Sequence, residues 1–546
     1  MINFDAPPLK NVTEILLRGL KIDNLSEVKP RALKTADEKF LRTRKNAEVF
    51  SPSRLVKQMI DALDDENLFW QSKIDSRWLE IACGEAPFLV NRYDAETGEK
   101  IPFNARAGIL DRKFRAIPAD ADKIFWAKRA VQSIYGYEIQ SDSLLIARAN
   151  ILLSFAEFAE DFTAKDLSEV AEIIGKNLWL ADGLQTFSAQ GSLFDEPNFD
   201  YKITDWLTGE EYFFGGNGMK FDFVVGNPPY QEETDSDSTR KLPVYDKFME
   251  AAHKIGEKVE LITPARFLFN QGDTPKDFNQ RMLNDEHLKV LDYAPDAKKY
   301  FKGVDIKGGV AITLRDEEKN FGAIGTFILF DELKSIHKKI VLDNENFRPL
   351  NEIIYPRAIY RFVKDNSFVD TNAFEKMREF FFDEKPNDDN EYIKIFGLIK
   401  NRRYYKWIRH NAVTNHESLD KYKVFVPQAN GAGTFGEELS KPVIGEPLTI
   451  STATFTVIGN FDTRAEADAC LKYIKSKFCR AMLDILKVTQ HNPPQTWAKV
   501  PLQDFTSASD IDWSVSIPEI DAQLYKKYEL DAAEIKFIEE KVRPME

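Results

Sequence analysis

The residues best suited to do chemistry lie in Phe221–Tyr230, which reads FDFVVGNPPY. An apolar run with strand character ends directly in Asn227-Pro228-Pro229-Tyr230. A turn at the carboxyl end of a strand in an open α/β sheet faces the ligand crevice. The prolines fix φ, and Pro228, being followed by a second proline, is pushed into an extended conformation. That exposes its carbonyl oxygen beside the Asn227 side-chain oxygen. Two acceptors converging from a rigid turn suit an NH₂ group, which has two hydrogens to donate. The amino nitrogen of adenine is such a group and a poor nucleophile, because its lone pair is delocalised into the ring. Acceptors that hold both hydrogens favour a more tetrahedral, more nucleophilic nitrogen. Tyr230 adds a flat face on which a base can stack. The chain holds its own control: His491–Gln495 repeats Asn-Pro-Pro after a helix-like stretch, without the apolar strand or the tyrosine, and reads as a structural turn.

A second pattern is Trp78–Phe88, WLEIACGEAPF. A strand passes through Glu80 into small residues at Ala82, Cys83, Gly84 and Ala86, which let the backbone approach a ligand, and a helix is expected to start near Pro87. Glu138, in Gly136-Tyr137-Glu138, again puts an acid at a strand end, where carboxylates grip ribose hydroxyls. Asp182, in Ala181-Asp182-Gly183, does so a third time. Any one of these acids reads as a helix cap or a surface charge. Three at successive strand ends, with NPPY at the fourth, read as a site.

The elements that must carry these groups follow from periodicity. From about residue 46 to Asp331, apolar strands alternate with helical periods, as in an α/β unit. The expected strands are Trp78–Ala82, Ser133–Ile139, Leu178–Ala181, Phe221–Val225, Lys258–Ile262 and Gly309–Leu314, with helices over Ser51–Leu63 and Asp142–Phe158. Residues 382–390, FDEKPNDDN, form an acidic break and an exposed loop. Beyond it, Tyr422–Pro427 and Thr449–Ile458 read as strands. Thr463 and Glu466 make a capping box before a helix expected to run through Lys487.

At this point the chain resembles the gamma class of amino-group N6-adenine DNA methyltransferases, the TaqI-like enzymes of type II restriction–modification systems. Their cofactor motif, Asp-Pro-Ala-Cys-Gly-Ser-Gly-x-Phe, is similar to Glu80–Phe88, and their NPPY box is matched in full. Their amino-terminal closing motif, Phe-x-Thr-Pro, is matched by Phe50-Ser51-Pro52-Ser53, with Ser51 expected to cap the next helix and Pro52 at its first position. The resemblance covers about residues 46–330. It implies S-adenosyl-L-methionine as cofactor, with Glu80 near the methionine moiety, Glu138 on the ribose and Asp182 on the adenine amino group. It further implies that Phe50 and Pro52 cover the cofactor, with Ala82, Cys83 and Gly84 in the loop beside it. Asn227 and the Pro228 carbonyl would hold the target N6 in the rigid Pro228-Pro229 turn, and Tyr230 would stack on the target base. The chain departs from the pattern at Glu80 for Asp, Ile81 for Pro, Glu85 for Ser and Ala86 for Gly, and Ala86 calls for a negative φ. Glu80 and Glu138 are 58 positions apart, well above the ~20 of a simple dinucleotide fold, so an insertion is expected near Asn91–Ala127, carrying Leu110-Asp111-Arg112-Lys113. The family's second base-stacking aromatic is not evident near Gly309–Leu314; Phe301 or Tyr300 stands in its place.

The fold expected is thus α/β: a helical arm over 1–45, a Rossmann-like methyltransferase domain over 46–335, and a mixed α+β DNA-recognition domain over 336–546. The net charge of −14 opposes general binding of nucleic acid. Lys394–His410, KIFGLIKNRRYYKWIRH, concentrates base and aromatic residues without an acid, and reads either as a solvated face or as a DNA-contacting one. Lys400, Arg402, Arg403, Lys406 and Arg409 are the candidate contacts. Double-stranded DNA is the expected partner, a cognate restriction endonuclease an open one. Three cysteines and six scattered histidines suggest no metal site, and no apolar run suggests a membrane span, so a cytoplasmic location is expected. Two alternatives stay open: a fused nuclease–methyltransferase, for which Asp296 with Glu332 and Lys334 would be the metal-site residues, and an NPPY enzyme acting on RNA or protein glutamine.

Overall fold

The computed structural model describes residues 2–46, 49–64, 68–183, 202–213, 220–231, 242–270, 272–302, 306–431, 433–487 and 489–545, without the side chains of 40 and 43–46. The chain divides into two compact units, Met1–Thr326 and Phe327–Glu546.

The first unit is built on a seven-stranded sheet. Its strands are β1 (Trp78–Ile81), β2 (Ile134–Glu138), β3 (Leu178–Leu180), β4 (Phe221–Gly226), β5 (Gly256–Pro264), β6 (Leu288–Ala294) and β7 (Val310–Asp316). They lie in the order β3-β2-β1-β4-β5-β7-β6, with β7 antiparallel to both neighbours and the other pairings parallel. β1 and β2 are buried along their whole length, which is why apart from Glu80 and Glu138 they carry no charged residue and do not alternate apolar with polar. The strand order reverses between β1 and β4, the position at which a Rossmann-like sheet opens its ligand crevice. Register then aligns the motif ends: Ile81 pairs with Gly226, Glu80 with Gly136, and Glu138 with Leu180.

Five of the expected strands overlap β1 to β5 and the sixth overlaps β7. β6 was not among them. It is the edge strand, half-buried at its five central residues, so its sequence lacks the apolar run that marks the others. Helix α1 (Ser53–Leu63) starts after Pro52 with no side-chain cap, so Ser51 is not the cap expected of it. No helix starts at Pro87. The chain makes a turn there and runs into the insertion, which folds as α2 (Ile109–Ala116) and α3 (Lys123–Gln132) before β2.

The insertion braces the entrances of β1 and β2. Lys113, buried, donates Nζ to the carbonyls of Ile74 and Ser76 and to the Ser133 hydroxyl at 2.9, 2.5 and 2.6 Å. Asp111 accepts the Asn91 N–H at 2.9 Å, while Arg92 and Arg106 both reach Glu157. Glu157 stands on α4 (Ser141–Ala159), the helix after β2, whose Leu144, Leu145, Ile151 and Phe155 pack wholly out of solvent. The Leu110–Lys113 segment therefore supports the sheet.

The second unit is mixed α+β, with a four-stranded and a three-stranded sheet. Lys394–His410 falls in an antiparallel hairpin, β8 (Tyr392–Ile399) and β9 (Arg402–Arg409). Its two-residue turn, Lys400-Asn401, has φ of 47° and 62°, the left-handed pair that suits the strands' twist. Thr449–Ile458 is not one strand. Thr449–Ser451 joins the sheet of β8, and Phe455–Phe461 joins that of Tyr422–Pro427. The capping box at Thr463 and Glu466 is present, but its helix ends at Lys475 and Ser476 caps a new one, Lys477–Leu483. No helix among the described residues is long and apolar enough to cross a membrane.

Candidate active site

At the carboxyl edge of β1, β2, β3 and β4 lies a cavity of about 340 Å³. The segment before α1 supplies Phe50, the loop after β1 supplies Ala82, Cys83 and Gly84 beside Glu80, and β2 supplies Glu138. Asp182 follows β3, and Asn227 and Pro229 follow β4. Nine of the sequence candidates thus share one wall system, while Pro52, Pro228 and Tyr230 stand outside the lining. Tyr137, Gly183, Gln231 and Phe248 also line it; in the sequence, Phe248 shows only as one apolar position of a helix.

The loop after β1 is strained and tightly held. Ala82, Gly84 and Ala86 have φ of 46°, 56° and 57°. Ala86 therefore does not adopt the negative φ expected of it, and each alanine in this region costs roughly 1–2 kcal/mol. Hydrogen bonds over-determine the conformation: Cys83 N–H donates to the Tyr137 carbonyl at 2.9 Å, Gly84 N–H to Glu138 Oε2 at 2.7 Å, and Leu89 N–H to Glu80 Oε2 at 2.9 Å. The φ of Gly84 favours glycine, and a Cβ there would also stand a tight 3.2 Å from the Phe50 ring.

The two glutamates differ in setting. Glu80 is buried, and burial pushes its carboxyl well above the usual range; amide bonds from Leu89 and Phe88 oppose the shift and the nearby Glu138 adds to it. Glu138 accepts the Gln140 N–H at 2.9 Å through its other oxygen, so its carboxylate bridges the loop after β1 and the start of the next helix.

Asn227 carries the most telling geometry. Its Nδ2 donates to the Val49 carbonyl at 2.8 Å. A carbonyl can only accept, so the amide's orientation is settled by its partner. Oδ1 is buried and has no hydrogen-bond partner among the described residues. Leaving a buried acceptor unmatched costs about 1–3 kcal/mol. Behind it, the Tyr230 ring meets Phe301 edge-on, with centroids 6.5 Å apart and planes at 67°. Tyr300 instead points its hydroxyl to Asp292. Of the two aromatics weighed for the second position, Phe301 is the one beside Tyr230.

The five basic candidates lie in the second unit. Arg403 donates to the Ser440 and Lys441 carbonyls at 2.7 and 2.5 Å, and Lys406 to Asp383 at 2.7 Å. Arg409 lies 3.9 Å from Asp388. Lys400 and Arg402 are exposed at the hairpin tip with no ion-pair partner among the described residues, next to exposed Tyr404 and Tyr405. Asp296 accepts the Lys298 N–H at 2.9 Å and caps a short turn, and Lys334 pairs with Asp331.

Residues 132–301 match the model of the Eco57I restriction-modification methylase family. The matched span runs from the entry to β2 through Glu138, Asp182 and the NPPY turn to Phe301. Over 105 residues the chain is 29% identical to an uncharacterized adenine-specific methylase of Mycoplasma pneumoniae, a stretch that covers 18% of this chain and 25% of that relative. Among solved structures, the type IIL restriction-modification enzyme MmeI in complex with DNA is similar at 11% identity and a TM-score of 0.45, covering 94% of this chain and 82% of that one. A DrdV–DNA complex is similar at 12% identity and a TM-score of 0.42, covering 84% of this chain and 56% of that one.

Proposed function

We propose that the chain is an S-adenosyl-L-methionine-dependent DNA methyltransferase of the gamma class, acting on N6 of an adenine within a specific duplex sequence in a restriction–modification system. The observation that carries this reading is Asn227, whose buried Oδ1 has no hydrogen-bond partner among the described residues and which lines a cavity together with Gly84, Glu138 and Asp182. The Eco57I-like span and the adenine-specific relative support it.

The cavity suits the cofactor. Its volume of about 340 Å³ falls within the range of small-ligand pockets. Gly84 lets a ligand approach the backbone, Glu138 offers acceptors to ribose hydroxyls, and Asp182 offers one to an exocyclic amine. The cofactor supplies a methyl group already activated on a sulfonium. Asn227 Oδ1 and the Pro228 carbonyl accept the two N6 hydrogens of the target and direct the nitrogen lone pair at that methyl. Catalysis here is positioning and polarisation. Tyr230, braced edge-on by Phe301, stacks on the base, which must leave the duplex at a cost of a few kcal/mol in lost pairing and stacking. The second unit grips the DNA, with the tip of the β8–β9 hairpin as the first contact.

The test is transfer of labelled methyl from S-adenosyl-L-methionine to duplex DNA, RNA and protein in parallel, with long-read sequencing of the exposed DNA. N6-methyladenine in one recurring sequence is expected. Label confined to RNA or protein refutes the DNA reading, and magnesium-dependent cleavage of the duplex adds a nuclease.

A further inference from the structure

Glu85 stands where the resembling family has Ser, and it is bonded to the amino-terminal arm: its Oε1 accepts the Arg31 backbone N–H at 2.6 Å. Arg31 sets its guanidinium 4.9 Å from the centre of the Phe50 ring, the ring that stands over Gly84. A second tie lies further along the arm. Asp142 accepts from Lys34 Nζ at 2.9 Å and from two Arg42 nitrogens at 2.9 and 3.0 Å. Burial opposes ionisation of Asp142, yet the bonds from Arg42 and Lys34 prevail and hold its carboxyl below the usual range. Asp142 is in the first turn of α4, just after Glu138. The arm is therefore fastened to the loop after β1 and to the helix after β2, the segments next to Gly84 and Glu138.

A smaller cavity of about 50 Å³ shares Phe50 and Pro87 with the larger one and is lined on the arm side by Pro30, Ala32 and Leu33. Packing around Phe50 is thus incomplete where it borders this cavity. The Arg31 contact and the Glu85 bond supply the constraint.

We propose that Glu85 and Arg31 are positioning residues for the cofactor. Together they latch the arm to the loop after β1 and keep the Phe50 ring over Gly84, closing the cavity on bound S-adenosyl-L-methionine. The proposal rests on the cofactor reading given above. A charge-assisted hydrogen bond corresponds to a change of about tenfold or more in an equilibrium, and an exposed cation–π contact to roughly a few-fold.

The experiment measures binding and release of radiolabelled S-adenosyl-L-methionine by the full-length wild type, Glu85→Ala, Glu85→Gln, Arg31→Ala and Phe50→Ala, with the melting temperature of each ligand-free protein. Release about tenfold faster is expected from Glu85→Ala, and roughly threefold faster from Arg31→Ala. KM for the cofactor rises with the release rate, while kcat at saturating cofactor moves little. Glu85→Gln keeps an oxygen acceptor and releases more slowly than Glu85→Ala. A role confined to stability would lower the ligand-free melting temperature without altering release. Wild-type release from both Glu85→Ala and Arg31→Ala overturns the latch, whatever Phe50→Ala does, and leaves the functional reading standing. A wild-type chain that binds no cofactor overturns both.

Discussion

Buried polar atoms set the terms at the residue scale. Asn227 splits its amide between a structural bond to Val49 and a buried oxygen with no hydrogen-bond partner among the described residues. Asn227→Ala is expected to lower methyl transfer about 10²–10³-fold, read in single-turnover assays, while cofactor binding weakens only by the loss of the Val49 tie. Unchanged transfer would remove the residue from the mechanism. Glu260, on β5, poses the opposite case. It is fully buried, neither carboxyl oxygen has a hydrogen-bond partner among the described residues, and burial drives its carboxyl well above the usual range against the pull of Lys289. In the fold it gives up its proton at a higher pH than in the unfolded chain, where a glutamate ionises at about 4.3. The unfolded chain therefore releases the proton first, and stability drains away as pH climbs through that window towards the folded value. Glu260→Leu should flatten the fall of denaturant-measured stability as pH rises above about 4.3, and raise stability there by about 1–3 kcal/mol. A steeper profile in the variant would contradict the assignment.

At the scale of elements, function depends on how closely β1 and β4 end together. A Cβ on Gly226 would stand 2.7 Å from the Ile81 carbonyl oxygen and 2.6 Å from its side chain, so the residue that launches the NPPY turn has no space for one. Gly226→Ala is expected to shift the turn away from the loop after β1. Transfer should fall by about 10²-fold for a stability loss of about 1–3 kcal/mol, read by kinetics and by chemical denaturation of the same preparation. The strands that frame this junction were legible because their near-complete burial demands mostly apolar residues. The loop between them was not: Pro87 reads as a first-turn residue of a helix, but three residues with positive φ redirect the chain into an insertion. The basic stretch was visible as charge, while its hairpin form depended on the Lys400-Asn401 turn, which carries no glycine to announce it.

For the whole molecule, the net charge of −14 means that DNA must meet a local positive surface rather than a general field. Arg403 and Lys406 are engaged with protein groups in the hairpin, and Lys400 and Arg402 remain exposed at its tip. Lys400→Ala and Arg402→Ala in the full chain are expected to weaken duplex binding evenly across sequences and to reduce the salt slope by about 1 each. Fluorescence anisotropy at several salt concentrations checks this. An unchanged slope would place the DNA elsewhere on the surface.

Local order alone settled a good deal about this protein. An apolar strand cannot pass into Asn-Pro-Pro-Tyr without presenting a stiff, acceptor-rich turn, and acids that close successive strands must gather at one edge when the sheet is parallel. Tertiary structure decided what distance along the chain conceals. Val49 takes one end of the Asn227 amide and leaves the other unmatched, Phe301 rather than Tyr300 meets Tyr230, and the arm is pinned at Glu85 and Asp142. Each of these depends on groups far apart in sequence coming within bonding reach, and residue order by itself carries no record of that.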